Sequence, residues 1–368
     1  MKDVLIIGGG LTGLLAAREL CLSGASVTVV ERGELAKESS WAGGGILSPL
    51  YPWRYPEAVT SLARWSQARF ETLAIELFEN TGVDPELLRS GLFILAPQDG
   101  DEARAWAAKH GVVMRELAVG EAKKAEPALG LASSGFELPD VGHIRNPRLL
   151  RALIGDLVKR GVDFRTNEPV QRLLIERAAV RGVVTSQGSI YADRVVIASG
   201  AWSGLFAESL GFDLKIEPIK GQMLLFKAKP GLIRHIVLAD GYYVIPRRDG
   251  RVLVGSTMER AGFDKEPTAA AARELRDAAF WLVPELMKYP VEHHWAGLRP
   301  GSEAGIPHIC AHSELAGVYL SVGHFRNGVV TGPASARLLV DIMLKREPVI
   351  DPAPYRIAES RLVAELLT

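Results

Sequence analysis

The chain has 368 residues, 48% of them hydrophobic and 23% charged, with Lys+Arg and Asp+Glu balanced at 43 each. That length accommodates two domains or one domain with an inserted layer, and the balanced charge leaves no net field to attract nucleic acid or an anionic membrane. No apolar run approaches the roughly 20 residues of a membrane span, no basic stretch with a cleavage site opens the chain, and two cysteines, Cys21 and Cys310, point to a reducing cytoplasm rather than a disulfide framework.

The first predicted elements are the most informative. Val4-Leu5-Ile6-Ile7 is a short β-branched run of the kind that forms a buried parallel strand. Gly8, Gly10 and Gly13 follow with G-x-G-x-x-G spacing: a tight turn, a close approach of backbone to a pyrophosphate, and close helix–strand packing. Residues 11–22 read as a helix whose N-terminal amides face phosphate, with Cys21 as a small buried residue on it. Residues 26–30 form a second strand, and Glu31 at its end is placed to accept hydrogen bonds from ribose hydroxyls. Strand, turn, helix and acid together predict a dinucleotide site.

Farther along, Ser39-Ser40-Trp41-Ala42-Gly43-Gly44-Gly45-Ile46 is a second small-residue segment that lets backbone run against a flat or charged ligand. Residues 56–81 read as helical, with apolar Leu62, Trp65, Phe70, Leu73, Leu77 and Phe78. Residues 91–96, 222–228, 242–246 and 251–257 are β-rich and look antiparallel, with Asp249-Gly250 as a hairpin signal. Nucleotide-domain signals return at 161–200, where residues 162–165 and 194–198 read as strands with an alternating pattern after Val170 between them. They return again at 317–323, a strand leading into a helix around 334–344. No repeat, low-complexity stretch or linker is present, so the chain leaves and re-enters its first domain, and the cleft between domains is the expected reaction site.

The segment Gly323-His324-Phe325-Arg326-Asn327-Gly328-Val329-Val330 follows a strand and opens a helix, so its amides converge on one point. Beside the 39–46 segment, which a simple nicotinamide domain does not need, this favours a flavin over a nicotinamide. Arg299, read as lying in a loop bounded by Gly297 and Pro300, and Arg326 form a pair that repels unless an anion arrives, which selects acidic substrates. Tyr242 and Tyr243 are adjacent in an apparent strand, so one of them faces the cleft. His294, His308 and His312 do not form a metal set, and no metal is expected.

Five segments together carry a family resemblance: Gly8-Gly9-Gly10-Leu11-Thr12-Gly13, Glu31, residues 39–45, Trp295-Ala296-Gly297-Leu298-Arg299-Pro300-Gly301 and Gly323-His324-Phe325-Arg326-Asn327-Gly328. With them the whole chain resembles the D-amino-acid-oxidase-like flavoproteins, and within them the glycine oxidases of the thiamine-biosynthesis type. The resemblance implies an α/β fold: a Rossmann-like FAD-binding domain over 1–85, 146–212 and 300–368, and an interleaved α+β substrate domain over 86–145 and 213–299 on a mostly antiparallel sheet. It implies FAD held without a covalent bond, with Cys310 free. Its contacts would be Gly8, Gly10, Leu11, Thr12, Gly13, Glu31, Arg32, Ser39, Ser40, Gly44, Gly45, Ile46, Val170, Gly200 and the turn His324, Phe325, Arg326, Asn327, Gly328, Val329 and Val330. Arg299 and Arg326 would flank the substrate carboxylate, with Tyr243 as a hydroxyl donor and Met258 as a pocket wall. The implied reaction is oxidation of glycine, sarcosine or a small D-amino acid by dioxygen to a 2-oxo acid, ammonia and hydrogen peroxide, supplying the glycine imine for the thiazole of thiamine. The partners are the small amino acid and dioxygen, in a homo-oligomer of the tetrameric kind. The alternatives are a sarcosine or D-amino-acid oxidase, a dehydrogenase passing electrons to a quinone, and a flavin-binding module without turnover.

Overall fold

In the computed structural model, which describes residues 4–212 and 214–357, the apolar β-branched runs assemble a six-stranded sheet. Its order from edge to edge is His308–Ala311, Val318–Val322, Arg194–Ile197, Val4–Ile7, Val27–Val30 and Asp163–Arg165. All neighbours are parallel except the two strands at the His308–Ala311 edge. The central strand Val4–Ile7 is buried along its whole length, so its sequence shows no polar alternation. Alternation persists in what the residues touch. Val4 and Ile6 pack against helices Leu11–Leu22, Asn146–Lys159 and Gly328–Leu344, whereas Leu5 and Ile7 pack toward a three-stranded antiparallel sheet, residues 170–191. Cys21 is half-buried at the edge of the first of these cores.

The remaining strands form an eight-stranded sheet, ordered Val291–Gly301, Glu217–Phe226, Val252–Gly255, Tyr242–Pro246, Ile236–Ala239, Leu92–Leu95, Gly135–Leu138 and Arg115–Leu117. Every pairing is antiparallel except that of Ile236–Ala239 with Leu92–Leu95. The fold is thus α/β, with a doubly covered parallel sheet and a mostly antiparallel second sheet. One face of the second sheet packs Leu224, Phe226, Val244 and Val254 against Leu275, Ala279 and Leu282 of helix Ala269–Leu282. Its other face, with Met223, Tyr243 and Ile245, turns toward Tyr51 and Ile46. Strand alternation therefore puts Tyr242 away from that face, where its hydroxyl donates to Glu274 at 2.7 Å, and Tyr243 on it.

The helical reading of residues 56–81 holds as two helices, Glu57–Gln67 and Phe70–Thr81, broken where the Arg69 guanidinium lies 3.5 Å over the Trp65 ring and donates to the Trp65 carbonyl. The break re-aims the second apolar stripe: Phe70, Leu73 and Leu77 enter the core and Phe78 is left 51% exposed. Arg299 lies in a strand, Val291–Gly301, and not in a loop. Gly297 and Pro300 misled because this is the edge strand of its sheet, where a proline without an N–H leaves no ladder bond unmade. No helix among the described residues is long and apolar enough to cross a membrane.

Gly8 has φ +114°, and a Cβ there would strike the Ala198 carbonyl of the neighbouring strand. Gly8→Ala is expected to cost on the order of 2 kcal/mol and to weaken flavin retention, read by thermal denaturation and by absorbance of the purified protein near 450 nm. Wild-type values for both would show that the turn tolerates a side chain.

Candidate cofactor and substrate site

A cavity of about 450 Å³ runs from the first glycine turn to the face of the second sheet that carries Tyr243. At one end, the turn after Val4–Ile7 presents the start of helix Leu11–Leu22. The Leu11 amide donates to Ser40 Oγ at 2.8 Å, which ties the helix start to the second small-residue segment. Glu31 is fixed by backbone, accepting from Gly9 N at 2.8 Å and Gly33 N at 3.0 Å, so its carboxylate is held where a ribose would lie. Arg32 lies 3.4 Å over the Trp202 ring, ion-paired to Glu38 at 2.6 Å, and Trp202 in turn stacks on Phe263.

The 39–46 segment makes one helical turn, Ser39–Ala42, and then runs extended against residues 142–146. Its carbonyls point into the protein: Ser40 O accepts from Asn146 Nδ2 at 2.8 Å, Ala42 O from Trp295 Nε1 at 3.1 Å and Gly45 O from Ile144 N at 2.9 Å. Gly45 has φ +78° and lies so close to the Ile144 carbonyl that no Cβ fits. Gly44 is pressed against Tyr243 and Ile245. At the far wall, the Phe325 amide donates to Pro300 O at 2.9 Å, and helix Gly328–Leu344 begins at the turn. His324 Nε2 and Asn327 Nδ2 in this turn are buried without a protein partner, and both residues line the cavity. Burial, with His308 nearby, pushes His324 down to about 4, so its ring is neutral at ordinary pH.

Arg299 projects from the edge strand over Gly221, the one residue type whose lack of a side chain leaves room for the guanidinium. Its Nη2 donates to Ser256 Oγ at 2.7 Å, and its Nη1 to Thr257 O at 3.2 Å and Lys220 O at 3.5 Å. Among the described residues no carboxylate lies within ion-pairing distance of it or of Arg326. Burial pushes the Arg299 guanidinium down from its ordinary value, Tyr243 opposes that, and Arg326 adds repulsion. Its remaining exposure is to the cavity it lines. Arg326 stands where this cavity meets a second one of about 740 Å³, bordered by Tyr51, Tyr55, Asp240 and Trp281.

Of the residues expected to contact cofactor or substrate, all line the cavity except Gly13, Val330 and Met258. Gly13 sits behind the turn, against the Gly8 carbonyl, and acts through packing. Val330 is buried in the core side of its helix. Met258 is 60% exposed; the residue of that segment that faces the cavity is Ser256, with Thr257 turned to Gln222 N. Ser256, Trp202 and Met223 were not read from the sequence, because nothing local marks a hydroxyl 43 residues before the arginine it holds. Cys310 is buried on the His308–Ala311 strand among Val318, Leu320 and Leu5, outside the cavity lining, and burial pushes its thiol up to about 11. Among the described residues no group of three or more His, Cys, Asp or Glu is placed to hold a metal ion.

Amides at a helix start, a backbone-fixed carboxylate and two unpartnered buried side-chain nitrogens fit a flavin dinucleotide along the cavity. The family model for FAD dependent oxidoreductases matches residues 3–342. The chain is 48% identical over 359 residues to the glycine oxidase of Pseudomonas aeruginosa, covering 96% of this chain and 98% of that protein. It is 30% identical to the bifunctional protein ThiO/ThiG of Nostoc over 96% of this chain and 55% of that protein. A glycine oxidase crystal structure from Bacillus cereus superposes with a TM-score of 0.89 at 31% identity, covering 97% of this chain and 99% of that one. The chain belongs to the family of FAD dependent oxidoreductases. FAD is accordingly its cofactor, and its relatives at high identity are glycine oxidases.

If Arg299 grips a substrate carboxylate through two charge-assisted hydrogen bonds, Arg299→Ala is expected to cost roughly 3 kcal/mol, about a hundredfold in kcat/KM, with FAD still bound; steady-state kinetics and the flavin spectrum check it. Equal loss of FAD would identify Arg299 as a structural residue. A second expectation concerns acid stability. His324 and His143 are both held below their ordinary value, chiefly by burial. Below about pH 6.5 the unfolded chain takes up protons that these two groups refuse in the folded chain, so stability falls as the pH falls; for His324 the loss runs down to about pH 4, by up to about 1.4 kcal/mol per pH unit. Denaturant melts across that window check the slope, and His324→Gln is expected to flatten it.

Proposed function

We propose that this protein oxidises glycine and other small amines, sarcosine and small D-amino acids among them, with dioxygen and water to the 2-oxo acid, hydrogen peroxide and the released amine, which is ammonia when the substrate amine is primary. The observation that carries this reading is the Arg299–Arg326 pair, without a carboxylate partner among the described residues, at the end of the cavity beside Tyr243. A guanidinium without a counter-ion that lines an open cavity is a site for an anion, and its planar fork matches a carboxylate. The Tyr243 hydroxyl, brought to the same wall by strand alternation, is a second donor for that group or the amine.

Held by the Gly8–Leu11 turn, Glu31, the Ser39–Ile46 segment and the turn at His324–Val329, FAD would supply two-electron redox chemistry between the amine and dioxygen. The chain's own residues bind and orient. Arg299 anchors the carboxylate, so the α-carbon is fixed relative to the Gly44–Ile46 wall and the His324–Asn327 turn. The acids lining the cavity are Glu31, engaged by Gly9 N and Gly33 N, and Glu38, engaged by Arg32 and Lys265. Neither is free to act as a base at the Arg299 end, so the amine is to arrive neutral, and kcat/KM is to rise with pH until it does.

The domain division expected from the sequence, a non-covalent FAD, a cytoplasmic setting, a homo-oligomer and delivery of the glycine imine to thiazole formation belong to the same reading. In a panel of glycine, sarcosine and D-proline, hydrogen peroxide is expected from all, with anaerobic bleaching of the flavin by each. Bleaching without peroxide would make the protein a dehydrogenase using another acceptor. No bleaching by any amine, with the flavin colour intact, would leave it a flavin-binding module.

A further inference from the structure

Tyr243 and Ile245 point the same way along the strand Tyr242–Pro246, and both press on Gly44. Arg247, the next residue of that parity, is buried. Its Nη2 donates to Gly44 O at 2.8 Å, and its Nη1 to His143 Nδ1 at 3.0 Å and Ile144 O at 3.3 Å. All three acceptors are neutral. Burial, and the charge of Arg247 itself, push His143 well below its ordinary value, so its Nδ1 is free to accept. Among the described residues no carboxylate pairs with Arg247. The nearby Glu86 and Asp249 go to Arg145, at 3.1 and 2.8 Å. A buried arginine without a counter-ion is costly unless its hydrogen bonds do something the fold needs.

Those bonds complete a pattern in the cofactor wall. The carbonyls of Ser40, Ala42, Gly44 and Gly45 are all engaged from the protein side, by Asn146, Trp295, Arg247 and Ile144. The amides of Gly44 and Gly45 donate to no protein acceptor among the described residues, and both residues line the cavity. We infer that Arg247 is a positioning residue for the flavin: it holds the Gly44 carbonyl back so that the Gly44 and Gly45 amides remain donors to the cofactor. The planar fork is what spans Gly44 and the 143–144 segment at once, and an ammonium on a flexible stem does not.

The inference concerns FAD and stands apart from which amine is oxidised, so its test needs no substrate. Arg247→Lys and Arg247→Met are purified with FAD and stripped of it. FAD is then titrated back by fluorescence, and the flavin midpoint potential is measured. Both variants are expected to raise the FAD Kd at least tenfold. Arg247→Met is expected also to shift the potential to more negative values, since it removes a buried cation beside the wall, while Arg247→Lys retains most of it. Wild-type Kd and potential in either variant would overturn the inference, even if its melting temperature falls, because that pattern marks a purely structural arginine. Should Arg247→Met not fold, Arg247→Lys decides alone through the Kd.

Discussion

Backbone meets backbone at Gly8, Gly13 and Gly45, and the rest of the site depends on those approaches. A Cβ at Gly8 would strike the Ala198 carbonyl, at Gly13 the Gly8 carbonyl, and at Gly45 the Ile144 carbonyl. The first two bring helix Leu11–Leu22 close enough to its strand for its free amides to line a cavity. The third seats the 39–46 segment on residues 142–146 and orients its peptide units. Packing at these points is steric and therefore unforgiving, whereas the ligand contacts it creates are hydrogen bonds that form only when a ligand arrives.

Charge is handled differently at the two ends of the cavity. At the dinucleotide end every charged group is engaged: Glu31 by two backbone amides, Arg32 by Glu38 and the Trp202 face, and Glu38 also by Lys265. At the Arg299 end the guanidinium touches only a hydroxyl and two carbonyls. That arrangement orients the side chain and leaves its charge uncompensated, so the empty site favours an anion. Membership of the FAD dependent oxidoreductases and the likeness to glycine oxidases agree with this division of labour.

Much of this was legible in the chain. Strand Val4–Ile7, helix Leu11–Leu22 and the carboxylate after strand Val27–Val30 stand where spacing put them, because a local motif encodes its own backbone geometry. The Arg299 strand was misread because Gly297 and Pro300 signal a turn in isolation, and only the sheet reveals an edge where proline is tolerated. Met258 was misplaced for a related reason. Side-chain direction depends on the neighbouring chain, which sequence position does not contain. Ser256 and Arg247 went unread because their partners lie 43 and 203 residues away.

By itself the sequence determined the ligand class, the interleaved order of the elements and the two arginines, since each rests on residues close along the chain or on a motif narrow enough to name a family. Only the tertiary structure decided that the arginines share one cavity without a carboxylate among the described residues, that Tyr243 and not Tyr242 joins them, and that a buried Arg247 backs the cofactor wall. Those facts are relations between segments brought together by sheet register and helix packing, and no local pattern carries them.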